Sequence, residues 1–484
     1  MNATVAPFER PDAAGLAALE ARLVEDLERL CYPPANWVPP TTGPDGAVAN
    51  DVVVIGGGMC GLTAAFALRR NGLRNVRILD RAPAGEEGPW VTYARMETLR
   101  SPKQLTGPAM GMAALTFRAW YEAQYGKAAW ERLDKIPRTL WMDYLCWYRR
   151  ALDLPVENGV EVTAIRGDAS GLLALDLDGA EVPRLYARKV VLATGREGLG
   201  APSIPAFVAG VPRDRWAHSS DDIDFGPLRG ARVGVVGAGA SAVENAAAAA
   251  EAGAAAVHLF VRRADMPRVN KLMGIGSPGF THGFPELPEA WRWRIMHYSF
   301  ATQTPAPRGS TLRLSRHETA HFRFGHAIER VETVGDGLRV HSSKGVYDVD
   351  FLILGTGFSV EPTARDELGD AAREVACWED RFTPPAGWES RELGRFPYLG
   401  PDFAFTEKTP GRAPWLQDVH CFNYAASLSL GKVSGDIPAV SVGAGWLADR
   451  LAAIFYRRDI EAHWERLLAY DTPELTGAEW APAE

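Results

Sequence analysis

Two short apolar runs that end in glycine, each followed by a helical pattern, dominate the sequence. Residues 51–58 read DVVVIGGG, and a helical stretch (MCGLTAAFALRRNG) and a second apolar run (NVRILD) follow. Residues 232–239 read RVGVVGAG, followed by a helical pattern over 241–252 and the run VHLFVRR. A continuous apolar run is typical of a strand buried in a parallel sheet. Each unit is therefore predicted to be a βαβ unit.

The two units open a coarse internal repeat. Short strands with turns are predicted over 160–195 and 327–357, and they end in KVVLATG and DFLILGTGF. A repeat of this size indicates two related domains. The predicted fold class is α/β, with two Rossmann-like dinucleotide-binding domains, the second inserted into the first. The predicted segments are an N-terminal arm (1–50), the first domain (51–205), the second domain (206–350, with an insertion over 270–325) and the return of the first domain with a C-terminal helix (351–484).

The arm is predicted to contain an amphipathic helix over residues 11–30. Its leucines recur every three or four residues, at Leu16, Leu19, Leu23, Leu27 and Leu30. Such a spacing places them on one helix face. We expect this face to pack on the main body, with a homodimer contact as the alternative. Acidic residues along the helix argue against a membrane-surface role. A last apolar helix is predicted over 438–456.

Composition narrows the class of protein. The 484 residues carry 52 Lys and Arg and 60 Asp and Glu, so the formal charge is −8, which argues against general nucleic-acid binding. No run approaches the ~20 apolar residues of a membrane span, and no secretory signal is expected. The five cysteines are widely separated and form no C-x-x-C, so we expect reduced thiols in a cytoplasmic protein. The five histidines between 282 and 326 have no metal-ligand spacing, and no metal is expected.

The first glycine motif predicts a dinucleotide site. Gly56, Gly58 and Gly61 fit G-x-G-x-x-G at a strand-to-helix turn. The first glycine permits the tight turn, the second lets a pyrophosphate approach, and the third lets helix and strand pack closely. Asp80 ends the second strand, where a carboxylate can bind a ribose diol and would repel a 2′-phosphate. The predicted ligand is therefore FAD or NAD.

The second glycine motif predicts a ligand of different charge. Gly237 and Gly239 begin it, and Ala242 takes the third glycine position, where it is expected to widen the helix–strand distance slightly. Instead of an acid, Arg262 and Arg263 end the next strand. Two positively charged side chains at the end of this strand can bind a 2′-phosphate. We therefore predict NADPH, with a solvated arginine pair as the alternative. Ser241 and Gly357, the glycine of the second x-T-G, complete the predicted cofactor set.

One dinucleotide site with an acidic strand end and one with a basic strand end, in the same chain, indicate a flavin that NADPH reduces. The segment KVSGDIP precedes the last predicted helix. Asp436 there is expected to bind the ribityl chain, while the helix start that follows can stabilise negative charge on the flavin. A helix N-cap is the alternative role for Asp436. Asn423 is expected either to reach the flavin or substrate, or to shape a turn.

These motifs resemble those of the two-dinucleotide-domain flavoprotein monooxygenases, which include flavin-containing monooxygenases, Baeyer–Villiger monooxygenases and the ornithine and lysine N-hydroxylases. The resemblance covers about residues 51–456 and is carried by GGGMCG, VVGAGASAVENAA with its arginine pair, VVLATG and LILGTGF. METLRSPK (96–103) looks like the segment beside the flavin, so Arg95 and Arg100 could hold the nicotinamide or the peroxide, with ion pairing as the commoner role. His218 resembles the histidine of the linker fingerprint, with a structural role as the alternative.

The resemblance implies a mechanism. NADPH reduces FAD, and the reduced flavin reacts with O2 to give a C4a-(hydro)peroxyflavin, which bound NADP⁺ helps to protect. One oxygen atom then passes to a nitrogen, sulfur or carbonyl carbon of a small organic substrate. A non-oxygenating NAD(P)H:acceptor flavin oxidoreductase is the alternative, and a redox-sensing binding protein is a third class. The absence of C-x-x-C disfavours a disulfide reductase.

Overall fold

Two sheets organise the computed structural model, which describes residues 11–480. The first sheet has the strand order β3-β2-β1-β6-β5-β4, and the long β6 also pairs with β17 near its end. Strands β1, β2, β3, β6 and β17 run parallel, while β4 and β5 add an antiparallel extension. The strands are β1 (Asn50–Ile55), β2 (Val76–Asp80), β3 (Val156–Asn158), β4 (Glu161–Gly167), β5 (Leu173–Asp178), β6 (Arg184–Leu192) and β17 (Val419–Cys421).

The second sheet has the order β11-β10-β9-β15-β8, and all of its pairs are parallel. Beside it lie an antiparallel sheet, β12-β13-β14, and a two-stranded link between β7 and β16. The strands are β7 (Gly200–Pro202), β8 (Trp216–His218), β9 (Arg232–Val236), β10 (Ala256–Val261), β11 (Ala320–Phe324), β12 (Ile328–Val334), β13 (Gly337–Ser342), β14 (Gly345–Val349), β15 (Phe351–Leu354) and β16 (Phe358–Val360).

The second domain extends past the boundary predicted at residue 350. Strand β15 lies beside β9 in the second sheet. Its counterpart in the repeat, β6, lies beside β1 in the first sheet in the same way. The sequence repeat therefore implied that the apolar strand before x-T-G belongs to the sheet of its own glycine motif. The boundary should have followed this strand.

Helices cover both sheets, and those of the predicted insertion join the two domains. Strand β11, at the end of the 270–325 segment, is an edge of the second sheet. Trp293, in the middle of α7, is 2% exposed and its Nε1 donates to Trp388 O at 2.8 Å. The insertion is therefore part of the shared core. The helices are α1 (Ala13–Arg29), α2 (Met59–Arg70), α3 (Phe117–Arg132), α4 (Arg138–Ala151), α5 (Ala240–Glu251), α6 (Pro278–Gly283), α7 (Glu289–Thr302), α8 (Arg308–Ser315), α9 (Trp378–Arg381), α10 (Arg391–Gly394), α11 (Ser427–Leu430), α12 (Val440–Arg458) and α13 (Ile460–Ala469).

The N-terminal arm packs on the first domain, and its residues 1–10 lie outside the described part. Asp12 caps α1 by accepting a hydrogen bond from Ala14 N at 2.9 Å. Leu19 and Leu23 are buried, whereas Leu30 at the end of the predicted stripe is exposed. The apolar stripe thus serves the packing of the arm on the body.

The chain continues beyond the last predicted helix. Helix α12 buries Leu447, Leu451 and Phe455 in the core of the first domain. Within residues 11–480 it lies in the one helical segment, Ile437–Arg458, whose length and hydropathy would also suit a membrane span. A further helix, α13, follows directly and was not predicted.

Candidate functional site

The first glycine turn connects β1 to α2, and its three glycines have different surroundings. Gly56 has a φ of +105°, and a Cβ there would lie 2.5 Å from Ala193 O. A Cβ on Gly61 would lie 1.8 Å from Gly56 O. These two glycines are therefore required by the packing of the protein itself. A Cβ on Gly58 would meet nothing closer than Glu87 O at 3.9 Å, so this position opens onto free space at the start of the helix.

Asp80, at the end of β2, holds this turn in place through two hydrogen bonds. Its Oδ2 accepts a hydrogen bond from Gly57 N at 2.6 Å, and its Oδ1 accepts one from Ala82 N at 2.8 Å. Burial raises the pKa of Asp80, and the two amide donors oppose that rise. Each carboxylate oxygen can accept a second hydrogen bond. The residue thus fits the predicted contact with a ribose diol.

A cavity of about 490 Å³ lies beside the turn and is lined by Gly57 and Gly58. It is bordered by Glu87, which is 4% exposed. This carboxylate accepts hydrogen bonds from Arg149 Nη1 at 2.9 Å and from Asn158 Nδ2 at 2.7 Å. Sequence reasoning missed this network, because its members are scattered along the chain and form no motif. The turn, the cavity and the aspartate together fit the nucleotide half of FAD.

The second glycine turn connects β9 to α5 and compensates for its missing third glycine. Gly237 has a φ of +130°, as the tight turn requires. Ala242 is fully buried, and a Cβ on Gly355 would lie 2.5 Å from the Ala242 Cα. The glycine that permits close packing between helix and strand is therefore Gly355, which follows β15, instead of a residue on α5. Ser241 is exposed on the first turn of α5.

Gln303, which the sequence did not indicate, lies at this second turn. A Cβ on Gly239 would be 3.7 Å from the Nε2 atom of Gln303 and would meet no other atom within 4 Å. Gln303 has φ +58° and ψ 144°, a conformation that is strained for a residue with a side chain. Arg263 Nη2 supports the preceding helix end by donating to Ala301 O at 2.8 Å.

The two arginines at the end of β10 differ in their contacts. Arg263 is half-buried through its bond to Ala301. Arg262 is exposed and donates no hydrogen bond within residues 11–480, although its charge opposes the rise that burial causes in the pKa of Glu392. Arg262 is the one of the pair whose guanidinium is open to a phosphate.

Arg95, just before METLRSPK, and Arg100, within it, join the two domains. Arg95 donates to Thr92 O at 2.7 Å, lies 3.9 Å from Asp222, and its guanidinium is 5.5 Å from the ring centre of Phe225. Arg100 Nη1 donates to Pro305 O at 2.7 Å. Both side chains reach from the first domain to segments around the second.

His218 connects the end of β8 to the second x-T-G sequence. Its side chain is buried, and its Nε2 donates to Gly357 O at 2.9 Å. Ser220 N donates to its Nδ1 at 3.2 Å, and burial lowers the pKa of the imidazole. This network assigns a neutral ring with a proton on Nε2. His218 thus holds Gly357, which has a φ of +77°.

Asn423 connects the first x-T-G sequence to the C-terminal loop. Its Nδ2 donates to Leu192 O and Thr194 Oγ1, each at 3.2 Å. Ser434 Oγ donates to the main-chain carbonyl of Asn423 at 2.7 Å. Cys60 Sγ, at the start of α2, donates to Ser434 O at 3.4 Å. The loop that carries the half-exposed Asp436 is therefore held at the first glycine turn. The predicted residues of the first site are brought together.

Glu244 on α5 is a buried acid that the sequence did not single out. It is 5% exposed and accepts a hydrogen bond from Ser310 Oγ at 2.8 Å. Burial raises its pKa to about 7, although Arg313, Arg100 and Arg138 oppose the rise. Two of these arginines belong to the first domain, so the acid lies where the domains meet.

Replacing this acid by its amide should change the pH dependence of stability. Between pH 4.5, the ordinary pKa, and about 7, the unfolded chain loses the Glu244 proton while the folded chain keeps it. The free energy of unfolding therefore falls as pH rises through this window. We expect Glu244→Gln to match the wild type below the window and to be about 3 kcal/mol more stable at pH 8. Denaturant titrations across pH measure this difference.

Glu251, on the same helix, is a matched control because its pKa is shifted in the opposite direction. Its hydrogen bond with Arg313 lowers its pKa. Glu251→Gln should therefore lose stability above the ordinary carboxyl range instead of gaining it. A Glu244→Gln protein that is less stable than the wild type at pH 8 would show that ion pairing with the arginines outweighs burial.

The two glycine turns, each with its own parallel sheet, are typical of two-domain dinucleotide-binding oxidoreductases. The chain matches the pyridine nucleotide-disulphide oxidoreductase family over residues 53–273. It resembles the Kutzneria sp. 744 ornithine N-hydroxylase (TM-score 0.62, 20% identity, 83% of this chain and 99% of that one). It also resembles the L-lysine 6-monooxygenase of Pseudomonas syringae (TM-score 0.63, 19% identity, 84% of this chain and 99% of that one).

A relative with much higher identity shows the family. The chain is 41% identical over 464 residues to the FAD-dependent urate hydroxylase of Xanthomonas campestris pv. campestris, which covers 96% of this chain and 98% of the relative. The chain belongs to the family of this FAD-dependent hydroxylase. The predicted class, an FAD-dependent oxygenating flavoprotein, is confirmed by this family. The predicted α/β fold with two Rossmann-type domains is also confirmed.

Proposed function

We propose that FAD lies along the first glycine turn and NADPH along the second. Gly56, Gly58 and Gly61 leave room for a pyrophosphate at the start of α2, Asp80 binds the ribose, and Asp436 faces the ribityl chain. The open surroundings of Gly58 and the adjoining cavity support this arrangement. In the second domain, Gly237, Gly239, Ser241 and Ala242 shape the turn, and Gly357 closes the site. The pair Arg262 and Arg263 lies at the adenosine end.

When bound, FAD supplies hydride acceptance from NADPH and the activation of O2. The contribution of the chain is to position the two nucleotides and to exclude water. The Arg95 and Arg100 contacts hold the flavin-side loop against the second domain. His218 and Asn423 hold the two x-T-G sequences in place, so we propose that these four predicted residues position the site instead of touching the reacting atoms.

We further propose that the substrate is urate. The observation that carries this proposal is the 41% identity with a urate hydroxylase along nearly the whole chain. Urate is a planar anion at neutral pH, so its site needs a cation and a flat surface. Arg196 follows the first x-T-G sequence, is exposed, and lies 4.8 Å from the ring centre of Tyr424. An arginine stacked on an aromatic ring offers both features.

Steady-state turnover tests the substrate. The FAD-loaded enzyme is supplied with NADPH and O2, and NADPH oxidation is followed with urate, xanthine, L-ornithine and L-lysine. We expect urate alone to stimulate oxidation, with one atom of ¹⁸O from ¹⁸O2 in the product. Stimulation by an amino acid instead of urate would overturn the substrate, and NADPH oxidation without oxygen transfer would favour the acceptor oxidoreductase.

Replacing Arg196 should weaken urate binding specifically. We expect Arg196→Ala to raise KM for urate by about 10- to 100-fold, because a charge-assisted contact contributes roughly 1.5–3 kcal/mol. KM for NADPH should stay within about twofold. Arg294, which is also exposed and lies 5.0 Å from the ring centre of Trp388, is the matched control. An equal effect of Arg294→Ala on the urate KM would remove Arg196 from the substrate site.

We also propose that the enzyme acts in the cytoplasm as a homodimer. All five cysteines are free thiols, which supports a reducing compartment.

A further inference from the structure

Helix α13 carries a row of exposed apolar side chains. Ile460, Trp464, Leu467 and Leu468 follow one another at the spacing of a helix face, and each is between 51% and 64% exposed. Tyr470, just after the helix, is 72% exposed. Apolar residues at positions i, i+4, i+7 and i+8 of a surface helix normally face a core. Within residues 11–480, this face of α13 has no such partner.

Residues next to this row fix α13 to the body of the protein. His463 stacks on Tyr456 of α12 with ring centres 4.3 Å apart and planes 10° apart. Arg466 Nη1 donates to Trp37 O at 2.7 Å, and the Trp37 ring also lies against His463. The helix is therefore held in a defined orientation with its apolar face outward.

The size of this face fits a protein interface. A large aromatic side chain alone has roughly 150–250 Å² of surface. The four side chains of the row, each more than half exposed, thus present several hundred Å² of apolar surface. Monomeric proteins rarely expose a larger continuous apolar patch, and a standard interface buries about 800 Å² on each partner.

We propose that this face is the contact between two copies of the chain, with the α13 helices packed against each other about a two-fold axis. A row of apolar residues on one straight helix is complementary to itself, as a two-fold contact requires. A second copy fits this face better than a membrane does, because Glu461 and Glu465 flank the row and the Arg466 guanidinium is already bound to Trp37. This inference deepens the proposed homodimer by assigning its surface.

Sedimentation velocity of the full-length, FAD-loaded protein tests the proposal. We expect the wild type to sediment at twice the mass of one chain, and Trp464→Glu combined with Leu468→Glu to raise the dimer dissociation constant by at least ~100-fold. Val346→Glu is the matched control, because Val346 is 55% exposed on β14, far from α13 in sequence and on the other domain. It should leave the dimer intact.

Three outcomes would overturn the proposal. The first is a wild-type protein that stays monomeric up to high concentration. The second is a dimer that the double variant does not weaken, which would place the contact elsewhere. The third is a monomer that sediments with phosphatidylglycerol vesicles in a Trp464-dependent way. Urate-dependent NADPH oxidation, measured on the same samples, keeps failure of the dimer distinguishable from failure of the catalytic assignment.

Discussion

Gly58→Val should yield a folded protein that binds no FAD. The backbone φ of Gly58 is −73°, which any residue can adopt, and a Cβ there lies in open space. The protein itself therefore tolerates the side chain. The pyrophosphate, which must approach this backbone closely, does not. We expect FAD binding to weaken by at least ~100-fold, about 2.7 kcal/mol, measured by the flavin-to-protein absorbance ratio and by FAD titration of the apoprotein.

Two matched substitutions separate cofactor loss from fold damage. Gly61→Val forces a Cβ to within 1.8 Å of Gly56 O, so it should lower the unfolding temperature of the apoprotein as well as FAD binding. Gly239→Val makes the same change at the second turn, where only Gln303 is near. That variant should remain yellow but no longer be reduced by NADPH. A Gly58→Val protein that carries a full complement of FAD would contradict the first prediction.

The central elements of both domains could be predicted because they are buried on all sides. Strands such as β1 and β9 must be apolar throughout, and the glycines that follow them are required by close contacts with Ala193 and Gly355. The sequence therefore predicts both the strand and the residue at which it ends. The charge at the end of the next strand, Asp80 in one domain and Arg262 in the other, is equally local. This is why the sequence alone predicts a different ligand for each domain.

What could not be predicted depends on contacts between distant positions. Glu87, Arg149 and Asn158 meet beside the first turn without any shared motif. Glu244 lies within a helix of small residues, and only the fold shows that arginines from the other domain surround it. Gln303 reaches the second turn from a helix end inside the insertion, a segment whose sequence predicted no element.

The predicted roles of Arg95 and Arg100 also depend on the fold. Arg95 precedes the segment that resembles the flavin-facing one and Arg100 belongs to it, which made a chemical role plausible. Their guanidinium groups donate to main-chain carbonyls, and Arg100 does so across the domain boundary, at Pro305. An arginine occupied in this way has fewer donors left for a ligand. Arg196 and Arg262, which follow β6 and β10 in the sequence, donate no such side-chain hydrogen bond within residues 11–480.

Arg262→Ala should therefore separate NADPH from NADH. Arg262 is exposed at the strand end where a 2′-phosphate lies in this fold, and it donates no hydrogen bond within the described chain. Losing a charge-assisted phosphate contact costs roughly 1.5–3 kcal/mol of binding free energy, so KM for NADPH should rise about 10- to 100-fold. NADH lacks the phosphate, and its KM should stay within about twofold. Anaerobic flavin reduction, followed with each nucleotide, measures the difference.

Arg263→Ala provides the contrast, because Arg263 supports the helix end before Gln303 by its bond to Ala301 O. Since Gln303 lies at the turn that both nucleotides share, this variant should raise KM for NADPH and for NADH together. The NADPH effect of Arg262→Ala should also shrink at high salt, because the phosphate contact is exposed and screened. If Arg262→Ala impaired both nucleotides equally, the 2′-phosphate would have to be recognised elsewhere, and the cationic strand end would be only a solvated arginine pair.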